Sequence, residues 1–371
     1  MNRMELLEAA KCAAAVVSAA SPLEILKCVL IEIEAERKLL SITATNLEVS
    51  LKLNVPIIGE AISDTGFAIN ARLLFSMLNL LRGEHVEIER HGSKLVVSSG
   101  KASYQVSVTA GKEYPRVDIP FPSDTVKVCG LPSLVHQVAF ATAVKKDMPL
   151  LRCVNLMFTS EGLSAVGSDG NCIVSVKGDR QSIGNISFLV PADSLEKLAR
   201  LCEDDDVFSV GTTGKQIVFL KRNFAFSARL MDGNYINAEK IISSLKESFS
   251  VLSDATELRN AIRSVTTLSG DNRIVLSFAG ETLRFACEGD CGASSVSVGV
   301  IPLTGEPIGE CTYTANRLEK CLRAMDGPLT LGMAQGGMLT VKTENVFYMQ
   351  TPMRTAAKKK NDSGKQLPKA A

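Results

Sequence analysis

Apolar residues recur at positions i, i+3, i+4 and i+7 in three separate stretches of the chain. They are Leu74, Met77, Leu78 and Leu81, then Leu195, Leu198, Ala199 and Cys202, then Leu318, Cys321, Leu322 and Met325. That period puts each set on one buried stripe of an amphipathic helix. The enclosing segments, 71–83, 192–204 and 315–327, follow each other at intervals of about 120 residues, the mark of an internal repeat. Upstream, Leu26-Lys-Cys-Val matches Leu151-Arg-Cys-Val, with Asn272-Arg-Ile-Val in the third place. Downstream, Tyr104-Gln-Val-Ser, Phe226-Ser-Ala-Arg and Tyr348-Met-Gln-Thr correspond.

Each repeat opens with a further predicted helix, over 4–18, 132–145 and 255–269. The second carries Pro132 in its first turn, where a missing N–H costs nothing. Alternating apolar and polar positions predict strands at Leu39-Ser-Ile-Thr-Ala and Leu163-Ser-Ala-Val, and His91-Gly92 and Gly336-Gly337 read as hairpin turns. Two helices and a run of antiparallel strands per repeat specify an α+β fold with its helices on one sheet face. The predicted domains are 1–122, 123–246 and 247–354. Residues 355–371 hold Leu367 as their only large aliphatic residue and read as a disordered basic tail.

The 371 residues are enough for two or three domains. Lys+Arg 41 against Asp+Glu 40 leaves a net charge of +1, so any nucleic-acid contact must come from local patches. No apolar run reaches the roughly 18 residues of a membrane span, and Glu5 and Glu8 stand where a leader would be apolar. The expectation is a cytoplasmic protein with no membrane contact. The ten cysteines sit in apolar runs and read as reduced hydrophobes. Cys287 and Cys291 lack partnering ligands, and His85, His91 and His136 are scattered, so neither a metal nor a cofactor is expected.

Gly211-Thr-Thr-Gly214-Lys215 has two residues between its glycines where a phosphate loop has four, and reads as a hairpin turn. Ser168-Asp169-Gly170 and Met231-Asp232-Gly233 likewise fit turn chemistry with no histidine close in sequence, so catalysis is not expected. Trp is absent and aromatics are 5%, which argues against a platform for stacking single-stranded bases. The polar faces of the three repeated helices are mixed and mildly basic: Arg72, Ser76, Asn79 and Arg82, then Asp193, Lys197, Arg200 and Glu203, then Asn316, Lys320, Arg323 and Asp326.

Thr43-Ala-Thr-Asn-Leu-Glu48, Val166-Gly-Ser-Asp-Gly170, Leu230-Met-Asp-Gly-Asn-Tyr235 and the closing Thr351-Pro-Met-Arg354, in that order across three repeats, resemble the bacterial sliding clamp family, the β subunit of DNA polymerase III. The resemblance covers residues 1–354. It implies three tandem clamp (processivity-fold) domains with antiparallel sheets outside and helices inside, forming a ring as a head-to-tail homodimer. Twelve helices at roughly 9 Å spacing give a hole on the order of 35 Å, wide enough for a duplex. Such a lining touches phosphates and reads no bases. The implied partners are double-stranded DNA of any sequence, a DNA polymerase, a clamp loader and other proteins carrying a clamp-binding peptide. No cofactor is implied.

By the same resemblance, Arg72, Lys197, Arg200, Lys320 and Arg323 face DNA, and Tyr104 and Val106 of one copy meet Thr267 and Leu268 of the next. The partner-peptide cleft falls on Cys153, Ser168, Gly170, Asn171, Cys172 and Ile173 of the second repeat and on Thr314, Arg317, Met349, Pro352, Met353 and Arg354 of the third. The chain departs from the family in several places. Asn171-Cys172 replaces a His-Arg pair, Ser243 a proline, Arg317 a tyrosine and Ala20 a DNA-proximal arginine. A normally acidic edge reads Gly289-Asp-Cys-Gly-Ala-Ser-Ser-Val. These departures mark a divergent clamp or one carried on a mobile element. The alternative reading is a clamp-like peptide-binding scaffold that no longer closes around DNA.

Overall fold

Seven helices form among the described residues, each where an apolar stripe meets a start signal. They are α1 (Arg3–Val16), α2 (Ala71–Leu80), α3 (Leu131–Val138), α4 (Ala192–Ala199), α5 (Ala238–Ser244), α6 (Ala255–Thr266) and α7 (Ala315–Arg323). The computed structural model describes residues 1–59, 65–145, 147–160, 162–178, 186–267, 272–289, 292–306 and 309–353. Side chains of Asn2, Asn70 and Asp254 accept backbone N–H groups at the starts of α1, α2 and α6, which satisfies donors that a helix end leaves orphaned. The start of α7 is capped from outside its own segment: Asn272 accepts from Asn316 N through its side chain, at 2.7 Å, and from Ala315 N through its carbonyl, at 3.0 Å.

Burial follows the predicted stripes of α2 and α7 throughout, since Leu74, Met77, Leu78 and Leu81, and Leu318, Cys321, Leu322 and Met325, are all buried. In the α4 segment Leu195 and Leu198 are buried, but Ala199 and Cys202 are only half-buried. The helix predicted over 132–145 is a correction. It stops at Val138 and continues as a 3-10 turn, Ala139–Ala141, before Thr142 turns extended. At that point the chain meets a neighbour: Gly167 lies so close that a Cβ there would sit 2.7 Å from the Val138 carbonyl. A strand passes against the end of the helix, and Thr142 Oγ1 donates to Ala139 O to close it.

The chain divides into two compact units. The first comprises Met1–Ile242 with Glu344–Phe347, and the second runs from Ser243 to Thr343 and resumes at Tyr348. In the first unit, nine antiparallel strands lie in the order Thr109–Ala110, Thr65–Asn70, Cys28–Glu34, Leu39–Thr45, Val49–Pro56, Phe224–Arg229, Gln216–Lys221, Phe208–Thr213 and Val126–Val128. The first two repeats therefore share one sheet. Its seam is the pairing of residues 224–228 with residues 53–49. The same unit holds a run of Ile186–Pro191, Cys153–Thr159, Gly162–Ser168 and Cys172–Lys177. It also holds a three-stranded sheet of Glu87–His91, Lys94–Ser99 and Ala102–Ser107. In the second unit, Gly292–Gly299, Thr282–Gly289, Arg273–Ala279 and Cys311–Thr314 form one sheet, and Met338–Lys342, Pro328–Ala334, Glu247–Asp254 and Ile301–Gly305 run side by side in another.

The expected hairpin turns occur at Gly92, Gly214, Gly336 and Gly337, all with positive φ. Leu47 also takes a positive φ, 75°, which a leucine rarely adopts. Thr45 and Asn46 hold it there. Leu47 N donates to Thr45 Oγ1, while Glu48 N and Val49 N donate to Asn46 Oδ1.

The register across the seam sorts side chains by face, because alternate positions point to opposite sides. Ala44, Leu51, Phe226, Phe219 and Val210 are directly opposed on successive strands, and all five are buried. Phe226 and Phe219 meet edge to face with centroids 6.3 Å apart. Phe226→Ala should cost about 3–5 kcal/mol of stability, whereas Ser209→Ala, on the other face, should stay within about 0.5 kcal/mol of wild type. Urea unfolding followed by circular dichroism checks both, and equal costs would contradict the register.

Candidate functional site

The residues assigned to a peptide cleft fall into two sets, one in each unit. In the first unit, Ser168-Asp169-Gly170-Asn171 makes the turn between strands Gly162–Ser168 and Cys172–Lys177. Asp169 Oδ1 accepts from Asn171 N at 2.8 Å and Cys172 N at 2.9 Å, while Ser168 Oγ donates to Cys172 O and accepts from Gly170 N. Gly170 has φ 86°, so the turn needs glycine there. The Asp169 carboxylate is thus used for turn geometry. Gly170 and Asn171 are exposed, whereas Cys153, Ser168, Cys172 and Ile173 are buried beneath them.

Tyr235 and Leu151 belong to the same patch; the sequence showed both as motif residues but did not assign them to the cleft. The Tyr235 hydroxyl donates to Cys153 O at 3.0 Å, and Leu151 approaches the Gly170 turn. No periodicity signals either contact, because both are tertiary.

In the second unit, Thr314 ends a strand at the N-cap of α7, and Arg317 Nη1 donates to Thr314 Oγ1 at 3.0 Å. Gln350 Nε2 reaches Thr314 O at 3.3 Å, and Met353 N donates to Thr312 O at 2.8 Å, so the Pro352-Met353 segment is tied to the same strand. Met349 is buried, Pro352 is half-buried and Met353 is exposed. Thr314 and Arg317 are also half-buried. Arg354 and residues 355–371 lie outside the described residues.

The assigned DNA-facing cations divide by their local partners. Arg72, Lys197 and Lys320 make no ion pair among the described residues. Arg200 pairs with Glu196 at 3.4 Å, and Arg323 with Glu319 at 2.6 Å, each within its own helix. Arg263 of α6 also pairs with Glu319 at 2.9 Å. Partial burial opposes ionisation of Glu319, but the hydrogen bonds from Arg263 and Arg323 outweigh it and hold its carboxyl below the ordinary value. Of the assigned interface residues, Tyr104 and Val106 sit half-buried on Ala102–Ser107, which pairs on one side only. Thr267 follows α6, its hydroxyl donating to Arg263 O, and Leu268 lies outside the described residues.

Among the described residues no disulfide forms, and no group of three or more His, Cys, Asp or Glu could hold a metal. No described helix is long and apolar enough to cross a membrane.

The family model described as "DNA polymerase III beta subunit, N-terminal domain" matches residues 1–118, and that for its central domain matches residues 125–237. A protein of Bacillus subtilis named beta sliding clamp is 24% identical over 216 residues, spanning 55% of this chain and 56% of that protein. A beta sliding clamp of Pseudomonas aeruginosa is 25% identical over 277 residues, 73% of this chain and 74% of that one. The solved structure of the DNA polymerase III subunit beta from Pseudomonas aeruginosa superposes with TM-score 0.86 at 22% identity, covering 95% of this chain and 99% of the other. That of the beta subunit from Thermotoga maritima gives 0.86 at 20% identity, covering 96% and 99%. At such identities the structural likeness establishes the clamp fold.

Burial sets an alkaline limit on the first unit, at Cys153 beneath the Gly170 turn and at Tyr114 beside Thr45. It pushes the Cys153 thiol up to about 11 from an ordinary 9.0, against the Arg152 charge, and Tyr114 up to about 12. The folded state thus holds protons that the unfolded state releases first. Stability should be complete below about pH 9 and fall as pH rises toward 11 to 12. The urea midpoint should hold from pH 8 to about 9 and drop from there to pH 11, and a flat profile throughout would contradict these buried groups.

Proposed function

Because the chain belongs to the DNA polymerase III beta subunit family, we propose that it is a DNA sliding clamp for replication: a cytoplasmic protein that encircles duplex DNA and tethers a polymerase. It carries no reaction of its own. Three clamp domains, at 1–122, 123–246 and 247–354, close head to tail with a second copy. The observation that carries this reading is a strand edge left open in each unit. Ala102–Ser107 is the outermost strand of its sheet in the first unit, and Gly292–Gly299 is the outermost strand of its sheet in the second. Open edges of this kind pair with another chain through backbone hydrogen bonds. Neither strand contains a charged residue, so closure rests on backbone pairing and on apolar contact by Tyr104, Val106 and Leu268.

The DNA contact is made by helix faces whose charge is sparse. With Arg200 and Arg323 tied to their own carboxylates, the phosphates meet mainly Arg72, Lys197 and Lys320. Retention then depends on topology, since a chain of net charge +1 holds DNA weakly by electrostatics. Partner proteins bring a short linear peptide. Its contacts in the first unit are at Gly170 and Asn171, over Cys153, Ser168, Cys172 and Ile173. In the second unit they are at Thr314, Arg317, Pro352, Met353 and Arg354, over Met349. Met and Pro make an adaptable apolar surface, which suits more than one partner. A tethered polymerase gains effective concentration in place of intrinsic affinity.

A second reading, a peptide-binding scaffold that stays open, draws on the absence of carboxylates from Gly292–Gly299. One experiment separates the two. Loaded by a clamp loader onto nicked circular DNA, the protein should co-elute with the circle and be lost on linearisation. Lys197→Ala combined with Lys320→Ala should weaken retention equally for all sequences and lower the salt slope by about one per lysine removed. Arg323→Ala should do less, because Glu319 already holds that charge. Loss from intact circles would favour the open scaffold.

A further inference from the structure

The face of the nine-stranded sheet opposite its buried aromatic row holds a groove that belongs to none of the surfaces above. Register sets Lys52, Ala225, Leu220, Ser209 and Lys127 directly opposite one another on five adjacent strands. They line a cavity of about 410 Å³ that crosses the seam between the first two repeats. Ala225 and Leu220 form a half-buried apolar floor. At the rim stand Phe121, 77% exposed, and Val207, 53% exposed, two apolar side chains left facing water.

The groove is basic. Arg37, Lys52, Lys127, Lys221 and Arg222 line it against one carboxylate, Glu34, among the described residues. Glu34 is paired with Arg37 at 3.1 Å, and Lys221 is paired with Asp206. Lys127 Nζ donates to Ser209 Oγ at 2.7 Å. Lys52 and Arg222 have no hydrogen bond or ion pair among the described residues, so their charges stand uncompensated.

We propose that this groove binds a short, extended, acidic segment of a partner protein, with carboxylates at the Lys52 and Lys127 ends and an apolar side chain on Ala225 and Leu220. Four inter-strand steps of ~4.8 Å place the two lysine positions roughly 19 Å apart, the span of about six residues of extended chain. Charge complementarity selects the occupant. A nucleic-acid strand carries a phosphate at every nucleotide and calls for cations along its whole path. Here the positions between the lysines are Ala225, Leu220 and Ser209, and Glu34 stands on the wall. The chain's own Lys-rich residues 355–371 carry the wrong sign. Sparse carboxylates around an apolar anchor fit both the cations and the floor.

The test is fluorescence anisotropy on the full chain. The probe is a labelled peptide of about eight residues, with paired glutamates at both ends and Leu-Phe in the centre. The expected result is saturable binding that weakens with salt, with about tenfold weaker binding of the same peptide carrying lysines and of a thymidine octanucleotide. Lys52→Ala and Lys127→Ala should each lower affinity roughly threefold. Arg222→Glu, in an exposed hairpin turn, should lower it at least as much without touching a strand. Absence of binding to wild type, affinity unchanged in all three variants, or preference for the octanucleotide would each overturn the proposal.

Discussion

Everything the first unit presents depends on one backbone pairing, that of residues 49–53 with residues 224–228. Two strands nearly the length of the unit apart in sequence lie side by side, and their register turns two repeats into one sheet. It brings Leu51 against Phe226 on one face and Lys52 beside Ala225 on the other. A slip of one residue would exchange the faces. It would put Lys52 into the aromatic row and Phe226 into water, so hydrophobic burial enforces the register that the backbone hydrogen bonds record.

On the proposed function, a protein held on DNA by topology needs a lining that does not grip, and the helix faces assigned to that role carry few unpaired cations. Glu196 and Glu319 compensate Arg200 and Arg323 from four residues upstream, leaving Arg72, Lys197 and Lys320 without an ion pair among the described residues. The surfaces proposed to bind peptide follow different chemistry. The Gly170 turn is fixed by backbone N–H groups donating to its own Asp169 and Ser168 side chains, and Met353 is held through its backbone while its side chain stays exposed. A rigid backbone under adaptable side chains suits short linear ligands.

Much of this was legible in the sequence, for identifiable reasons. The stripes Leu74 to Leu81 and Leu318 to Met325 announce themselves through a local period, and Gly92, Gly214 and Gly336 mark turns through local backbone chemistry. The end of α3 was not legible. Residues 139–145 continue an apolar pattern, and the strand that passes close to Val138 through Gly167 is a tertiary neighbour. The seam between repeats was hidden for the same reason, since nothing local pairs Val49 with Ala228. With it went the alignment of Lys52 and Lys127, each an ordinary strand lysine until register places them on one row. Composition showed the balance of charge but not its pairing: Arg323 reads as a free cation until Glu319 is found beside it. The assigned cleft residues were named by resemblance, and the structure sorts them by exposure, with Asn171 and Met353 outward and Cys172 and Met349 inward.

The most direct measurement is native-state hydrogen exchange on the amides of residues 49–53 and 224–228. If the seam is the constraint on which the first unit rests, these amides open only with the unit as a whole. Their opening free energy should equal that of the amides in Leu39–Thr45 and Gln216–Lys221, and both should fall together in denaturant. Exchange at a distinctly lower free energy, with the first and second repeats opening separately, would contradict the account.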